Sequence, residues 1–287
     1  MKKKKAESRR VDPKVYTKEY YLTGCSGYNE FNESDGNKLE PRFVHTVKLF
    51  PKLKGNRVLD IGSGRGEIVF YALKQGAREA IGIDYSKDAI DIAKKAQKKQ
   101  QKFIKNSSKF FVRDAKKTRY KDNSFDVVFM LEVLEHLYPE EQEKILKEIH
   151  RILTPDGKLF IHTAPSKFFN DYTYPYWCYP ISSLFVGLWN MIFDKEYGNL
   201  LHPSDIRTDL DHVMHVNEPD YFSLDGMFKK TGFTGQIYST NVTIKKPIYS
   251  WKDRMYNFLV YLDPLSKFPP FNIVWGNDFY ATLEKDE

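Results

Sequence analysis

Cysteine is rare in this chain of 287 residues, which contains only Cys25 and Cys178. Two cysteines are too few for a disulfide framework or a zinc cluster. The chain must therefore be stabilised by an apolar core, and its length and its hydrophobic content of 41% are sufficient for one large domain. The low cysteine content also fits a reducing cytoplasm.

No apolar run follows the basic N-terminus, so the sequence predicts no secretory signal and favours a cytoplasmic protein. Residues 1–10 hold six Lys/Arg and one Glu, and this segment carries +5 of the net charge of +7. The other 277 residues carry only +2, which argues against a basic groove for nucleic acid. We predict a disordered basic tail over residues 1–14 and a single domain over residues 15–287.

A stretch of 22 residues, 172–193, contains no charged side chain. Its length would allow a membrane span, but prolines and tyrosines interrupt it, and we predict a shorter helix from about Ser182 to Phe193. We interpret residues 165–222 and 245–275 as two aromatic insertions. They could pack on the domain, form the wall of an apolar pocket, or make a peripheral contact with a membrane.

The most informative motif is a buried strand that runs into a glycine-rich turn, Val58-Leu59-Asp60-Ile61-Gly62-Ser63-Gly64-Arg65-Gly66. Glycine permits a sharp turn and the close approach of a flat ligand. Asp60 ends the strand, at the edge where open α/β sheets bind ligands. A second apolar strand ends at Asp84, and an acid in this place can accept hydrogen bonds from both hydroxyls of a ribose.

The spacing of the glycines favours a cationic ligand over a dinucleotide. A dinucleotide fingerprint is G-x-G-x-x-G, whereas this chain has G-x-G-x-G, with the acidic Glu67 at the start of the following helix. A pyrophosphate would meet that negative charge, and a cationic amino-acid ligand would not.

Strands and helices alternate five times between residues 42 and 164, which requires parallel strand pairing and right-handed crossovers. We predict strands near residues 58–61, 80–84, 110–113, 125–130 and 158–163, a turn at 154–157, and two further strands over 233–244 and 277–283. We also predict helices over residues 41–53, 66–75, 87–102, 139–152 and 223–230. The fold class is therefore α/β, with helices on both faces of one sheet.

The pattern D-I-G-S-G-R-G followed by G-I-D-Y-S resembles class I S-adenosylmethionine-dependent methyltransferases over residues 42–164. The resemblance implies a Rossmann-like sheet of seven strands, in which the seventh runs antiparallel between the fifth and the sixth. It also implies that S-adenosylmethionine is the cofactor, that Asp84 binds its ribose, and that Asp114 binds its adenine. The cofactor-binding residues expected from it are Asp60, Gly62, Ser63, Gly64, Gly66, Asp84, Tyr85, Asp114, Ala115 and Leu131. In this family a segment such as Tyr16–Phe31 often covers the cofactor, so Tyr20, Tyr21 and Tyr28 either line that pocket or pack on the domain.

The spelling E-V-L-E-H after the fourth strand resembles ubiquinone-pathway O-methyltransferases and small-RNA 2′-O-methyltransferases. This resemblance implies that Glu132, Glu135 and His136 can bind a divalent cation such as Mg²⁺, completed by a downstream histidine. His215 is the best match to that histidine, and His212 is the second. Three alternatives stay open: a metal site, His136 as a base without metal, or neither. If the stretch is helical, the two glutamates share a face. His162, in the fifth strand, faces either the core or the acceptor.

We expect from these motifs an S-adenosylmethionine-dependent O-methyltransferase with Glu132, Glu135 and His136 at the acceptor side. The aromatic insertions favour a small or amphiphilic acceptor, such as a quinone precursor, a lipid-linked sugar, a glycan or a polyketide. An RNA-modifying 2′-O-methyltransferase is the alternative, which the nearly neutral domain disfavours. The motifs do not predict an oligomeric state.

Overall fold

The computed structural model describes residues 10–100, 107–193, 198–241, 244 and 248–286. Within these ranges seven strands form one sheet in the order β3-β2-β1-β4-β5-β7-β6. Their bounds are β1 Arg57–Ile61, β2 Glu79–Asp84, β3 Ser107–Val112, β4 Phe125–Leu131, β5 Leu153–Thr163, β6 Phe233–Thr240 and β7 Asp278–Lys285. β7 runs antiparallel to β5 and β6, and the other neighbours are parallel. The predicted sheet and its antiparallel strand are confirmed.

Helices connect the strands and cover both faces of the sheet. Those in the described ranges are α1 Tyr28–Ser34, α2 Pro41–Thr46, α3 Glu67–Lys74, α4 Lys87–Gln100, α5 Pro139–Ile152, α6 Tyr179–Phe193, α7 Asp209–Met214, α8 Tyr221–Lys230, α9 Trp251–Tyr261 and α10 Phe271–Trp275. α3 begins where Gly66 ends the glycine-rich turn. α4 begins after Ser86, whose hydroxyl accepts a hydrogen bond from the Ala89 amide at 3.3 Å.

The central strands are buried on both faces, as their continuous apolar sequences require. In β4, Val127 and Phe129 belong to one apolar cluster, and Val128 and Met130 belong to the cluster on the opposite face. All four side chains are at most 1% exposed, and burial of each stabilises the fold by about 1.5–3 kcal/mol. The sheet therefore holds the carboxyl ends of its parallel strands rigidly at one edge.

Several predicted boundaries are wrong. The fifth strand begins at Leu153, so residues 154–157 extend the strand rather than form a turn, and its pairing with β4 shifts register there. The helix expected over 41–53 ends at Thr46 and continues as a 3-10 turn, Val47–Leu49. The sixth strand ends at Thr240, because the chain leaves the sheet there for the second insertion.

The N-terminal tail is shorter than predicted. Residues 1–9 lie outside the described ranges, but residues 10–14 are not disordered. Val11 is buried, and Asp12 accepts a hydrogen bond from the amide of Lys14 at 3.0 Å, which caps a 3-10 turn over Pro13–Val15. The apolar side chain of Val11 joins the core, and this contact anchors the chain.

The two insertions pack against each other and share an apolar cluster of their own. It joins Phe169, Tyr174, Cys178 and Val186 to Tyr256, Val260 and Tyr261. The first insertion begins with a π-helical segment, Phe169–Cys178, and α6 starts at Tyr179, three residues earlier than expected. None of the helices in the described ranges has the length and hydrophobicity needed to cross a bilayer.

Candidate active site

A cavity of about 800 Å³ opens where β1, β2, β4 and β5 end. This volume lies in the range of ligand-binding pockets. The predicted cofactor residues that line it are Asp60, Gly62, Ser63, Gly64, Asp84, Tyr85, Asp114, Ala115 and Leu131. The predicted acceptor-side residues that line it are Glu132, His136 and His215. The carboxyl edge of the sheet therefore brings together residues that are far apart in the sequence.

Glycine is required at two positions of the glycine-rich turn. Gly62 has a φ of +70°, and a Cβ atom there would lie 2.4 Å from a methyl carbon of Val133. Gly66 has a φ of +92°, and a Cβ atom there would lie 2.7 Å from the ring of Phe110. Gly66 does not line the cavity, in contrast to our prediction, because it faces the packing between α3 and β3. Gly62 shapes the cavity wall directly.

Asp84 is held in place by the backbone of the glycine-rich turn and by the start of α4. Its Oδ2 accepts a hydrogen bond from the Gly64 amide at 3.0 Å, and its Oδ1 accepts one from the Ser86 amide at 2.8 Å. Burial raises the pKa of Asp84 to about 6, although these amides favour the ionised form. A carboxylate oxygen can accept further hydrogen bonds, so Asp84 can still bind a pair of hydroxyls.

The walls of the cavity suit a cationic ligand. Asp60 is buried, and its pKa is raised well above the usual range by burial and by the nearby Glu67 and Asp84. Arg65 pairs with Glu67 at 2.8 Å, and a bound cation would relieve the remaining repulsion between Asp60 and Asp84. The hydroxyl of Ser63 is buried and has no hydrogen-bond partner in the described part of the chain. An unpartnered buried hydroxyl in a cavity wall indicates a position for a polar ligand group.

Asp114 lies at the outer end of the cavity and is exposed. Its Oδ1 accepts a hydrogen bond from the Lys116 amide at 2.9 Å and caps a 3-10 turn over Ala115–Lys117. The Lys116 ammonium turns towards Glu141, 2.5 Å away, and lies 3.6 Å from Asp114. The carboxylate of Asp114 is therefore oriented but still accessible to a ligand.

The N-terminal segment covers the cavity and is held there by Arg65. The guanidinium donates hydrogen bonds to the carbonyl oxygens of Tyr21 at 2.8 Å and Ser26 at 2.6 Å. Tyr20 and Tyr21 line the cavity, and Tyr28 is not among the residues that line it. A forked guanidinium suits this task because it can donate several hydrogen bonds in one plane. The sequence showed the tyrosines but did not show that Arg65 positions them.

Glu132 has an unusual backbone conformation and two positively charged partners. Its φ is +55°, so the stretch is not helical at Glu132, and a 3-10 turn begins only at Leu134. One carboxylate oxygen lies 2.8 Å from Arg42, and the other contacts Nδ1 of His162. Burial opposes ionisation, yet Arg42 and His162 lower the pKa of Glu132 to about 2. Glu132 is thus an anion that is fully engaged by cationic side chains.

His162 is completely buried in β5 and lies between two acids. Its Nε2 lies 3.5 Å from Asp278, and its ring stacks on Tyr280 with centroids 4.3 Å apart. Burial alone would lower its pKa, but Glu132 and Asp278 raise it to about 9. Asp278 was missed in the sequence. The antiparallel direction of β7 could have indicated Asp278, because the first residue of β7 lies at the edge where the parallel strands end.

His136 presents a free ring nitrogen. Its Nδ1 lies 3.1 Å from the carbonyl oxygen of Met214. A carbonyl oxygen only accepts, so Nδ1 carries the proton and Nε2 carries the lone pair. Burial and the neighbouring His215 lower the pKa of His136 to about 4. His136 is therefore neutral at physiological pH, and it lines the cavity.

Glu135 lies behind His136 and is not among the residues that line the cavity. It is completely buried, and the hydroxyl of Thr163 donates to its Oε2 at 2.8 Å. Its Oε1 lies 3.9 Å from Nε2 of His136. Burial and the charge of Glu132 raise the pKa of Glu135 to about 7. The charge of Glu135 can therefore influence the protonation of His136. Glu135 was predicted to lie at the acceptor side, but it does not line the cavity.

The predicted metal site does not fit the observed arrangement. His215 does lie beside His136, with ring centroids 4.9 Å apart, whereas His212 is exposed. However, one oxygen of Glu132 lies 2.8 Å from Arg42, the other contacts His162, and Glu135 is not among the residues that line the cavity. Among the residues that the structure describes, no group of three or more His, Cys, Asp or Glu side chains is arranged to hold a metal ion. The Mg²⁺ prediction is therefore not supported.

The strand order and the glycine-rich turn define a Rossmann-like α/β domain with a cavity at the carboxyl edge of its sheet, where such folds bind ligands. A family model described as a methyltransferase domain matches residues 59–161. Residues 59–161 thus match a methyltransferase domain, and the sheet topology agrees with that match.

Curated relatives differ in the atom that they methylate. The chain is 30% identical over 159 residues to a ubiquinone biosynthesis O-methyltransferase from Coxiella burnetii, and the match covers 54% of this chain and 61% of the relative. It is 30% identical over 131 residues to phosphoethanolamine N-methyltransferase 3 from Arabidopsis thaliana, covering 46% of this chain and 25% of the relative. The chain thus spans less than two thirds of the length of these relatives.

A solved structure shares the overall fold. It is phosphoethanolamine N-methyltransferase 2 from Haemonchus contortus, in complex with phosphomonomethylethanolamine and S-adenosylhomocysteine. The two chains align with a TM-score of 0.57 at 19% identity, over 94% of this chain and 60% of the other. At this identity the similarity shows the fold alone.

Proposed function

We propose that this protein transfers a methyl group from S-adenosylmethionine to a hydroxyl oxygen of a small or amphiphilic acceptor. The observation that carries the proposal is the position of His136. His136 lines the same cavity as the glycine-rich turn and Asp84, and its Nδ1 is bonded to the Met214 carbonyl, so Nε2 is the unprotonated nitrogen. A neutral imidazole beside a cofactor pocket can remove the proton of an attacking hydroxyl.

The placement of the predicted residues in the cavity supports the following cofactor roles. Asp60, Gly62, Ser63 and Gly64 would hold the methionine end, where Ser63 offers an unpartnered hydroxyl. Asp84 and Tyr85 would hold the ribose. Asp114, Ala115 and Leu131 would hold the adenine ring. When bound, S-adenosylmethionine supplies a methyl group that its sulfonium already activates for displacement.

The chain itself would orient the acceptor and receive its proton. As the acceptor oxygen approaches the cofactor, its proton moves to Nε2 of His136, and the Met214 carbonyl stabilises the resulting imidazolium at Nδ1. Glu132 is kept anionic by Arg42 and His162, so its field also favours the protonated imidazole. General-base assistance of this kind contributes roughly 10²- to 10⁴-fold. The N-terminal segment held by Arg65 would exclude water.

A hydroxyl acceptor is favoured over an amine by the same arrangement. A neutral amine attacks without a base, whereas a hydroxyl needs its proton removed as the new bond forms. The relative from Coxiella burnetii acts on an oxygen by its name. Quinone precursors, lipid-linked sugars, glycans and polyketides all present such hydroxyls. A cavity of about 800 Å³ also suits a cofactor plus a small head group better than an RNA strand.

The test is transfer of tritium from [methyl-³H]S-adenosylmethionine to three classes of acceptor: catechols with and without an isoprenoid tail, phosphoethanolamine, and short RNA. We expect transfer to a catechol, with an O-methyl signal in the NMR spectrum of the product. Transfer to the amine alone would replace O-methylation with N-methylation. Transfer to RNA alone would establish the alternative that the sequence left open.

A further inference from the structure

Exposed apolar side chains are concentrated on the two insertions. Of the 22 large apolar side chains that are exposed in the described ranges, 11 lie in residues 165–222 and 7 lie in residues 245–275. Scattered exposed apolar side chains are normal on protein surfaces, but a concentrated set marks an interaction site. The insertions therefore present an exposed apolar surface of the kind that binds a partner.

Helix α6 presents a continuous apolar stripe to solvent. Leu184, Leu188, Met191 and Ile192 are 46–75% exposed, and their spacing of three and four residues places them on one face. The opposite face is buried against α9, where the hydroxyls of Ser182 and Tyr256 lie 2.7 Å apart. Residues 172–193 contain no charged side chain, so no charge lies within the stripe.

Helix α9 adds aromatic side chains with basic side chains at their margins. Trp251 and Phe258 are two turns apart on one face and are 64% and 44% exposed. Arg254 is exposed near that face, and the ammonium of Lys252 lies 4.8 Å from the ring of Trp189. The acidic Asp253 is turned inward, where it accepts hydrogen bonds from the backbone and hydroxyl of Ser250. The outward surface of α9 is thus aromatic and cationic.

The charge of the second insertion agrees with this arrangement. The described residues 248–275 contain three Lys/Arg and two Asp, a net charge of +1, and Lys245 and Lys246 lie outside the described residues. An apolar face with tryptophan, tyrosine and flanking Lys/Arg is complementary to the interface of an anionic bilayer. Lysine and arginine can reach the lipid phosphates while their stems cover apolar surface.

The apolar surface is connected to the cavity. Pro165, where the first insertion leaves the sheet, and Asn277, where the second returns, both line the cavity. The two points are joined by a hydrogen bond of 2.9 Å from the Ser166 amide to the Asn277 carbonyl. Leu210 in α7 lines the cavity and is also 37% exposed. The ends of both insertions and α7 therefore adjoin the cavity.

We propose that the outward face of α6 and α9 docks on an anionic bilayer, and that the acceptor is a membrane lipid whose hydroxylated head group enters the cavity. The second part rests on the proposed methyl transfer, and the first part does not. The protein lies on the membrane without spanning it. A surface for another protein or for a second copy of this chain would not require the basic margins, and the test below distinguishes these occupants.

The test is flotation of the full chain with vesicles of phosphatidylcholine, with and without phosphatidylglycerol. We expect flotation with the anionic vesicles and weaker flotation with the neutral ones. The double variant Leu188→Glu with Met191→Glu should lose at least tenfold in partition, because two apolar side chains no longer enter the bilayer. The matched control is Leu49→Glu, which alters an exposed leucine outside the insertions and should float like the wild type.

Calorimetry with S-adenosylhomocysteine is run on every variant and separates the two proposals. The double variant should bind it normally and should methylate a soluble catechol, but not a prenylated catechol embedded in vesicles. Wild-type protein that binds the nucleoside and does not float overturns the docking surface. The docking surface is also overturned if the double variant floats as well as the wild type. It is overturned as well if light scattering shows a wild-type dimer that the double variant converts to a monomer. Absence of nucleoside binding in a chain that floats overturns only the proposed function.

Discussion

The guanidinium of Arg42 lies 2.8 Å from the carboxylate of Glu132, a residue 90 positions further along the chain. Arg42 also donates to Glu40, whose other oxygen accepts a hydrogen bond from the hydroxyl of Ser26 at 2.6 Å. An arginine therefore contacts the carboxylate where the sequence motif suggested a divalent cation. The same residue connects the acceptor side of the cavity with the N-terminal segment that covers it.

Activity should not depend on an added metal ion. Because Arg42 and His162 contact the two oxygens of Glu132 and already balance its charge, the carboxylate does not need a cation. We expect the rate of methyl transfer in EDTA to stay within twofold of the rate with Mg²⁺, roughly the effect of ionic strength on charged surfaces. Loss of activity in chelator, with recovery on adding Mg²⁺, would contradict this assignment of Arg42.

Replacing His136 should impair chemistry and spare cofactor binding. In His136→Gln the proposed base is absent, so we expect kcat to fall roughly 10²- to 10⁴-fold. The affinity for S-adenosylhomocysteine, measured by calorimetry, should stay unchanged. His212→Gln is the matched control, since His212 is exposed and lies outside the cavity. A His136→Gln enzyme with wild-type kcat would show that another group accepts the proton.

Replacing Asp84 should impair cofactor binding. Asp84→Asn keeps the shape of the side chain but removes the charge that strengthens hydrogen bonds to ribose hydroxyls. We expect the Kd for S-adenosylmethionine to rise tenfold or more, on the order of 1.5–3 kcal/mol. Asp91→Asn, on the solvent side of α4, should bind like the wild type, because Asp91 pairs only with Lys87 on the surface. Unchanged calorimetric affinity in Asp84→Asn would remove its ribose role.

The buried His162 should make stability depend on pH on the alkaline side. Its pKa is about 9 in the folded chain and near 6.5 in an unfolded one. The folded state therefore binds the extra proton, and this stabilisation is complete below about pH 6.5 and is lost as the pH rises through 9. Urea unfolding between about pH 7.5 and 9.5 should show a decline on the order of 2 kcal/mol. His162→Gln should flatten the decline, and an equally steep decline in that variant would assign it to other groups.

Local patterns predicted most of the cofactor side. The G-x-G-x-G turn, the apolar strands and the acids at their ends are short-range features, and hydrophobic periodicity is a direct record of burial. The one exception was Gly66, which packs against Phe110 instead of lining the cavity. The residues next to Gly66 in the sequence do not indicate that it packs against Phe110 of β3.

The acceptor side was predicted less well because it depends on contacts between distant segments. Glu132, Glu135 and His136 were identified from one motif, but their roles differ: Glu132 is an engaged anion, Glu135 is buried behind the site, and His136 faces the cavity. Arg42 comes from the N-terminal segment and Asp278 from the start of an antiparallel strand. No motif next to Arg42 or Asp278 in the sequence indicates that either residue belongs to the site.

The sequence alone determined the fold class, the strand alternation and the cofactor motif, because each follows from residues that are close in the chain and from the periodicity of burial. Tertiary structure alone decided which charges meet. Ion pairs such as Arg42 with Glu132 and His162 with Asp278 form between segments that only the folded domain brings within 4 Å. At that distance burial sets whether each group is charged, and the sequence carries no record of distance.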